Sequence, residues 1–249
     1  MAKNKLRADQ LLVERKLSES REKAKRLIMA GLAFIKKNGG LEQIKKPGQL
    51  IEITEKIIIK EQDRFVSRGA LKLLTAIKAF QINFKEKIVL DVGASTGGFT
   101  DCCLKHGAKK VYAVDVGYGQ LHYKLRKDPR VVNIEKTNIR YIDPNLIPEQ
   151  VDIVTIDCSF ISLTKVIPPS IQFLKPQGEL ICLIKPQFEL SKKEIGKGVV
   201  RDYMLQQKAI NKVVEFAKNH LEMIFLGVVP SKIKGPKGNQ EYLAYFKKR

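Results

Sequence analysis

Lys87-Ile88-Val89-Leu90-Asp91-Val92-Gly93-Ala94-Ser95-Thr96-Gly97-Gly98-Phe99-Thr100 runs from an apolar stretch of strand length straight into glycines. Glycines at a strand-to-helix turn carry no Cβ, so a ligand can approach the backbone closely. The next strand-like run, Lys110–Gly117, holds Asp115 near its end, 22 positions beyond Gly93 (115 − 93). An acidic side chain about 20 residues past such a loop is placed to accept hydrogen bonds from the ribose hydroxyls of an adenosine-containing cofactor. The glycine spacing is not the G-x-G-x-x-G of dinucleotide oxidoreductases, which disfavours a NAD enzyme; a merely structural turn is the other reading of the loop alone.

Outward from this segment the pattern alternates. Apolar runs at 87–93, 110–117, 151–157, 178–185 and 223–229 are separated by stretches able to hold helices, such as 204–219. Apolar runs of this length with helices between them predict a doubly wound α/β sheet. Upstream, Ser67-Arg68-Gly69-Ala70-Leu71-Lys72 opens a helix over 67–80, with Ser67 as its cap and Ala70, Leu73, Leu74, Ile77 and Phe80 turned inward.

The N-terminal stretch reads differently. Ala24, Leu27, Ile28 and Gly31 fall at helical spacing, so residues 7–31 predict two short helices, with Arg21, Lys25 and Arg26 off the apolar stripe. The run 32–40, with an Asn38-Gly39 turn signal, and the alternating 48–53 predict two small strands. The expected organisation is therefore a small α+β domain over 1–60, a polar linker at 61–66 and a larger domain over 67–249. A charged helix face is also what an ordinary solvated surface shows.

Composition narrows the partners. The chain of 249 residues carries 46 Lys+Arg against 26 Asp+Glu, a formal net charge of +20. Such an excess points to a polyanion, nucleic acid first, although a generically basic proteome would produce it too. The N-terminus lacks the apolar core of a secretion signal and no run reaches the ~18–20 apolar residues of a membrane helix, so a cytoplasmic protein is expected. Cys102, Cys103, Cys158 and Cys182 form no CxxC pair, and His106, His122 and His220 do not cluster with them. Reduced, buried thiols and no metal site follow.

Two resemblances sharpen these expectations. Arg7-x-Asp9-x-x-Leu12, Ser20-Arg21-x-x-Ala24-x-x-Leu27-Ile28-x-x-Gly31 and Lys46-Pro47-Gly48 resemble the RNA-binding domain named after ribosomal small-subunit protein S-four. The segment departs from that family's usual Val-x-Val-Asn-Gly at Ala33-Phe34-Ile35-Lys36-Lys37-Asn38-Gly39, which carries an extra residue before the turn. The resemblance implies that Arg7, Arg21, Lys25 and Arg26 contact RNA. In the larger domain, D-x-G-x-x-x-G-G followed by Asp115 resembles the S-adenosylmethionine loop of class I methyltransferases, a Rossmann-like fold. That likeness implies cofactor contacts from Asp91, Gly93, Ser95, Thr96, Gly97, Gly98, Phe99 and Asp115, from Asn138 near the adenine, and from Asp157 near the reactive end.

Lys72, Asp157, Lys185 and Glu241 stand in Ser67–Leu73, Ile156-Asp157-Cys158-Ser159-Phe160, Ile184-Lys185-Pro186-Gln187-Phe188-Glu189 and Gly238-Asn239-Gln240-Glu241-Tyr242-Leu243. They resemble, position by position, the Lys-Asp-Lys-Glu tetrad of FtsJ-type ribose 2′-O-methyltransferases. The flanks, including Lys197-Gly198-Val199-Val200-Arg201-Asp202, are most similar to the TlyA family of haemolysin A and ribosomal RNA methyltransferases. The resemblance implies methylation of a ribose 2′-hydroxyl in ribosomal RNA or ribosomal subunits, of a cytidine.

A ribose hydroxyl is a poor nucleophile at neutral pH, so its attack on a sulfonium methyl needs proton removal or tight orientation. Lys185 is the candidate base. A second ammonium, Lys72, favours the neutral amine a base requires, whereas Asp157 and Glu241 oppose it and hold the geometry. Residue types alone leave open whether Lys185 takes the proton or stabilises the developing oxyanion. Asp157-Cys158-Ser159-Phe160 shares part of its pattern with amino-group methyltransferases and cytosine C5 enzymes, but it lacks the prolines of the first and the neighbours of the second's nucleophile. A non-catalytic RNA-binding or ribosome-assembly factor and a membrane-acting haemolysin are the alternatives from other classes.

Overall fold

The computed structural model describes residues 4–37, 39–60, 65–196 and 198–249. Asn38 of the turn signal, Glu61–Arg64 of the linker and Lys197 of the glycine-valine motif lie outside the described residues. The chain divides into two compact units, Met1–Arg64 and Phe65–Arg249.

The first unit holds strand β1 (Lys5–Arg7), helices α1 (Ala8–Glu14) and α2 (Arg21–Met29), and strands β2 (Ala33–Lys37), β3 (Gly40–Gln43), β4 (Leu50–Glu52) and β5 (Lys56–Ile59). The two helices agree with the periodicity, and the chain leaves α2 through Gly31 at φ +73°. Five strands replace the two expected, counted among the described residues. β1 pairs with β4, while β3, β2 and β5 form a separate antiparallel sheet. Four of these strands are only three or four residues long, and β1, β3 and β5, outside the expected runs or split from them, carry charged residues on their exposed positions, which hides them from a period-two reading. The helices close over Leu11, Leu12, Ala24, Ile28, Ile35, Ile44, Ile51 and Ile57.

The second unit comprises α3 (Gly69–Phe80), β6 (Ile88–Val92), α4 (Gly98–Lys105), β7 (Lys110–Val114), α5 (Tyr123–Arg126), β8 (Val131–Ile134), β9 (Val151–Ile156), α6 (Leu163–Ile171), β10 (Leu174–Ile184), α7 (Pro186–Glu189), α8 (Lys192–Ile195), α9 (Tyr203–Leu221), β11 (Ile224–Pro230) and β12 (Tyr242–Lys247). Its sheet, seven-stranded among the described residues, runs β11-β12-β10-β9-β6-β7-β8. Neighbours from β10 to β8 are parallel, and β12 is antiparallel to both β10 and β11.

Period-two alternation splits each central strand between two cores. Ile181, Leu183 and Leu243 face α3 and α4 with Leu73, Phe99 and Cys102. Leu180, Cys182, Ile184, Ala244 and Phe246 face α6 and α9 with Val166, Ile167, Ile210 and Val213. This is a mostly parallel sheet with helices on both faces, the predicted doubly wound class.

β12 is a strand where the apolar runs above predict none, and one local expectation is corrected. Ser67 does not cap α3: its cap residue is Arg68, without a side-chain cap bond. Ser67 instead stands against the start of α4, where a Cβ on Gly98 would fall 2.4 Å from its Oγ.

Candidate active site at the carboxyl rim of the sheet

Parallel strands deliver their following residues to one rim, where ligands of open α/β sheets bind. β6 delivers the glycine loop, β7 Asp115, β9 Asp157, and β10 Lys185. β12 runs the other way, so its preceding residue, Glu241, reaches the same rim. Lys72 comes from the first turns of α3. The close packing of α3 on α4 depends on Gly98, whose Cβ would also lie 2.9 Å from the Ala70 amide nitrogen.

The four tetrad residues meet. Lys72 Nζ lies 2.7 Å from Glu241 Oε2 and 3.8 Å from Asp157 Oδ2. Lys185 Nζ lies 2.5 Å from Asp157 Oδ1 and donates to Ser159 Oγ at 2.9 Å. The order is thus Glu241, Lys72, Asp157, Lys185, carboxylates and ammoniums alternating. Glu241 is wholly buried and Lys185 is 6% exposed. Among the described residues Glu241 Oε1 has no hydrogen-bond partner, and Lys72, at Oε2, supplies the balancing charge. The backbone of the β11–β12 loop covers it, since a Cβ on Gly235 would fall 2.0 Å from Glu241 Oε1.

Two cavities flank the tetrad. One, of about 250 Å³, is lined by Ser67, Lys72, Thr96, Gly98, Phe99 and Lys185 among others. The second, of about 480 Å³, extends past Asp115, Asn138, Cys158, Phe160 and Ile161. Gly93, Ser95, Asp157 and Ser159 line both. Gly93 has no room for a side chain, because a Cβ would lie 2.7 Å from the Asp157 carbonyl oxygen.

Asp115 accepts from the Ser95 and Gly117 amides at 2.8 and 2.7 Å, one bond on each oxygen. An ionised carboxylate has about four lone-pair sites, so acceptor capacity remains toward the cavity. Asn138 begins the short turn at Ile139–Tyr141, accepting from the Arg140 amide at 3.1 Å.

Two residues expected at the cofactor do not line either cavity. Asp91 is wholly buried and accepts from Thr100 Oγ at 2.6 Å and Thr155 Oγ at 2.9 Å. Burial, resisted by those hydroxyls, pushes its carboxyl up to about 6. Gly97 turns at φ +95° against Leu121 and Leu125, where a Cβ would come within 2.2 Å of Leu125 Cδ1. The residue that the motif reading passed over is Ser159. Its signal was its place two positions after Asp157, visible only once β9 ends at Ile156.

Cys158 is half-buried, its thiol pushed up to about 12 mainly by burial and then by the Asp157 charge, and it donates to the Val92 carbonyl at 3.7 Å. A thiol so held is a poor source of thiolate nucleophile, which argues against C5 chemistry.

In the first unit, Arg7 and Arg21 both pair with the wholly buried Asp9, at 3.0 Å each. Burial works to raise Asp9, but the hydrogen bonds and charges of the two guanidiniums outweigh it and hold the carboxyl below its ordinary value. The Lys46-Pro47-Gly48 turn completes this corner: the Asp9 amide donates to the Pro47 carbonyl, and a Cβ on Gly48 would touch Arg7 Nη1 at 3.0 Å. Both guanidiniums remain about half exposed. Lys25 pairs with Glu22 at 2.6 Å, and Arg26 is exposed on the same helix.

Residues 65–248 match the family model of FtsJ-like methyltransferases. The 16S/23S rRNA (cytidine-2′-O)-methyltransferase TlyA of Mycobacterium tuberculosis is 42% identical over 243 residues, 97% of this chain and 89% of that protein. Hemolysin A of Brachyspira hyodysenteriae is 41% identical over 97% of this chain and 99% of its own length. A solved structure from Streptococcus thermophilus with hemolysin in its name superposes with a TM-score of 0.73 at 42% identity, covering 99% of this chain and 90% of that one.

Proposed function

The chain belongs to the FtsJ-like methyltransferase family, and on that premise we propose that it methylates a ribose 2′-hydroxyl of a cytidine in ribosomal RNA, with S-adenosylmethionine as donor. The observation that carries this reading is the tetrad: four ionisable residues from four separate elements meet where two cavities join.

The larger cavity fits the cofactor in size and chemistry. Its roughly 480 Å³ lies within the usual ~300–1,000 Å³ of small-molecule sites. Asp115 would receive the ribose hydroxyls, Asn138 would meet the adenine edge, and the Gly93–Ser95 backbone with Asp157 would hold the amino-acid end. When bound, S-adenosylmethionine supplies an electrophilic methyl group on a sulfonium.

The chain's own residues do the rest. Lys185, tied to Asp157 and Ser159, presents Nζ to the target hydroxyl, orients its oxygen and, once its own ammonium proton has passed to solvent, takes the hydroxyl proton as the neutral amine. Asp157 couples Lys185 to Lys72, and Glu241 anchors Lys72 from below, so the two nitrogen groups move as one unit. In the small N-terminal unit Arg7, Arg21, Lys25 and Arg26 contribute RNA phosphate contacts, Asp9 holding the first two in place.

Lys185→Ala tests this assignment. Single-turnover methyl transfer to unmethylated ribosomal subunits should fall roughly 10²–10⁴-fold, with S-adenosylmethionine affinity by titration calorimetry unchanged. Near-wild-type transfer would return the amino-group and C5 chemistries to contention. Lys72→Ala alone would leave the Glu241 carboxylate buried and unpaired, a loss of about 3–5 kcal/mol, so it is combined with Glu241→Gln. The hemolysin names among the relatives raise a membrane-acting reading. Among the described residues no helix is long and apolar enough to cross a membrane, and leakage of phospholipid vesicles by the pure protein would be its test.

A further inference from the structure

A separate cavity of about 610 Å³ opens between α9, β11 and the β11–β12 loop. Arg201, Tyr203, Gln207, Ile210, Val228 and Lys234 are among its lining residues, and it has no carboxylate in its lining. Tyr203 is 66% exposed although its ring is large and apolar. Among the described residues neither Arg201 nor Lys234 takes part in an ion pair.

The wall beneath is rigid. The Tyr242 hydroxyl donates to Gln206 Oε1 at 2.6 Å, and Gln206 Nε2 donates to the Val200 carbonyl at 2.8 Å. That wall also adjoins the tetrad: Tyr242 is the cross-strand partner of Ile184, so it directly follows Glu241 and sits opposite the residue before Lys185. Strand alternation sends Glu241 to the α3 face and Tyr242 to the α9 face. The cavity therefore adjoins the same rim, one residue away from two members of the tetrad.

Resting on the methyltransferase reading above, we infer that this cavity takes one unstacked nucleobase of the RNA strand flanking the target ribose. The base stacks on Tyr203, and the adjoining phosphates meet Arg201 and Lys234. The chemistry fits that occupant. Proteins read single-stranded RNA by stacking splayed bases on aromatic rings and by pairing base edges with side-chain amides. Gln207 supplies both a donor and an acceptor. Two cations that form no ion pair among the described residues, in a lining that holds no carboxylate, favour an anionic ligand, and the formal charge of +20 favours a polyanion.

The probe is a single-stranded hexaribonucleotide carrying one 2-aminopurine, whose fluorescence is quenched when the base stacks on an aromatic ring. The full-length protein should quench it. Tyr203→Ala should weaken binding by about 5- to 100-fold and remove the quench, while Tyr203→Phe restores both. Arg201→Gln and Lys234→Gln should each lower the slope of log Kd against log salt by about 0.7, the value for one phosphate on a single strand. With ribosomal subunits as substrate, Tyr203→Ala should raise KM and leave the saturating single-turnover rate unchanged.

Unchanged quench and affinity in Tyr203→Ala would overturn the inference. So would equal competition by the same sequence as a duplex, whose bases are stacked inside. S-adenosylmethionine titration of the same preparations separates the two readings. Absent cofactor binding in the wild-type protein sinks the methyltransferase assignment, whereas normal cofactor binding with an indifferent Tyr203→Ala sinks the nucleobase site alone.

Discussion

Asp91 holds its carboxyl between two threonine hydroxyls in full burial, and burial pushes it up to about 6. A folded-state value raised above that of the unfolded chain favours the folded protein at low pH. This stabilisation is complete below the ordinary aspartate value of ~3.9 and is lost as pH rises through about 6. At pH 8 the ionised group then costs up to about 3 kcal/mol relative to acid conditions. Asp91→Asn keeps the shape and can bond both hydroxyls, so its gap in melting temperature between pH 5 and pH 8 should be smaller than that of the wild type. Equal gaps in a pair of calorimetric scans would refute the assignment. Asp115 plays a different part, half-buried with capacity to spare. Asp115→Ala should weaken S-adenosylmethionine binding by on the order of 1–3 kcal/mol in titration calorimetry while the fold persists.

At the scale of elements, the loop between β9 and α6 carries Asp157 and Ser159 and forms the wall of the larger cavity. Its far end is clamped by Glu189 of α7, which accepts from Ser162 Oγ at 2.5 Å and from the Leu163 amide at 2.8 Å. Burial pushes the Glu189 carboxyl up, against those two bonds and the Lys212 charge. The segment after Lys185 is thereby tied to the segment after Asp157, the two residues that must stay 2.5 Å apart. Glu189→Ala should lower the urea midpoint by an amount equivalent to about 1–3 kcal/mol and slow methyl transfer; Glu189→Gln, which keeps an acceptor for the Leu163 amide, should lose less. The α3–α4 contact is a second joint of this kind. Gly98→Ala drives a Cβ into the Ala70 backbone, 2.9 Å away, where no flexible side-chain end can yield. Separation of the helices should cost about 1–3 kcal/mol in thermal unfolding and displace Lys72, so transfer falls more than cofactor binding does.

At the scale of the whole molecule, the two units have their own cores, one around Leu11, Ile28 and Ile35 and the other on both faces of the large sheet. This supports separate tasks. A chain reduced to residues 65–249 should keep its cofactor affinity, bind ribosomal RNA more weakly and show a shallower dependence on salt, since phosphate contacts release counterions. Undiminished methylation of ribosomal subunits by that fragment would assign RNA recognition to the larger unit alone.

Much of this was legible in the chain before any coordinates. Strands β6, β7 and β9 are largely apolar runs buried on both faces, and the glycine loop and Asp115 follow from their ends, because local pattern and burial agree there. The tetrad members were nameable from their flanks. Other features lie beyond local pattern. β12 is a short run whose pairing with the preceding β11 and the more distant β10 makes it a strand, and its reversed direction is what carries Glu241 to the rim. Whether a polar residue of the glycine loop faces ligand or core depends on what packs behind it: Thr100 and Thr155 enclose Asp91, 64 positions separating it from the latter (155 − 91). The ion pairs of the tetrad, the Ser159 contact with Lys185 and the cavity beside Tyr203 all join residues distant in sequence. Such contacts are products of chain closure, and only the tertiary structure decides them.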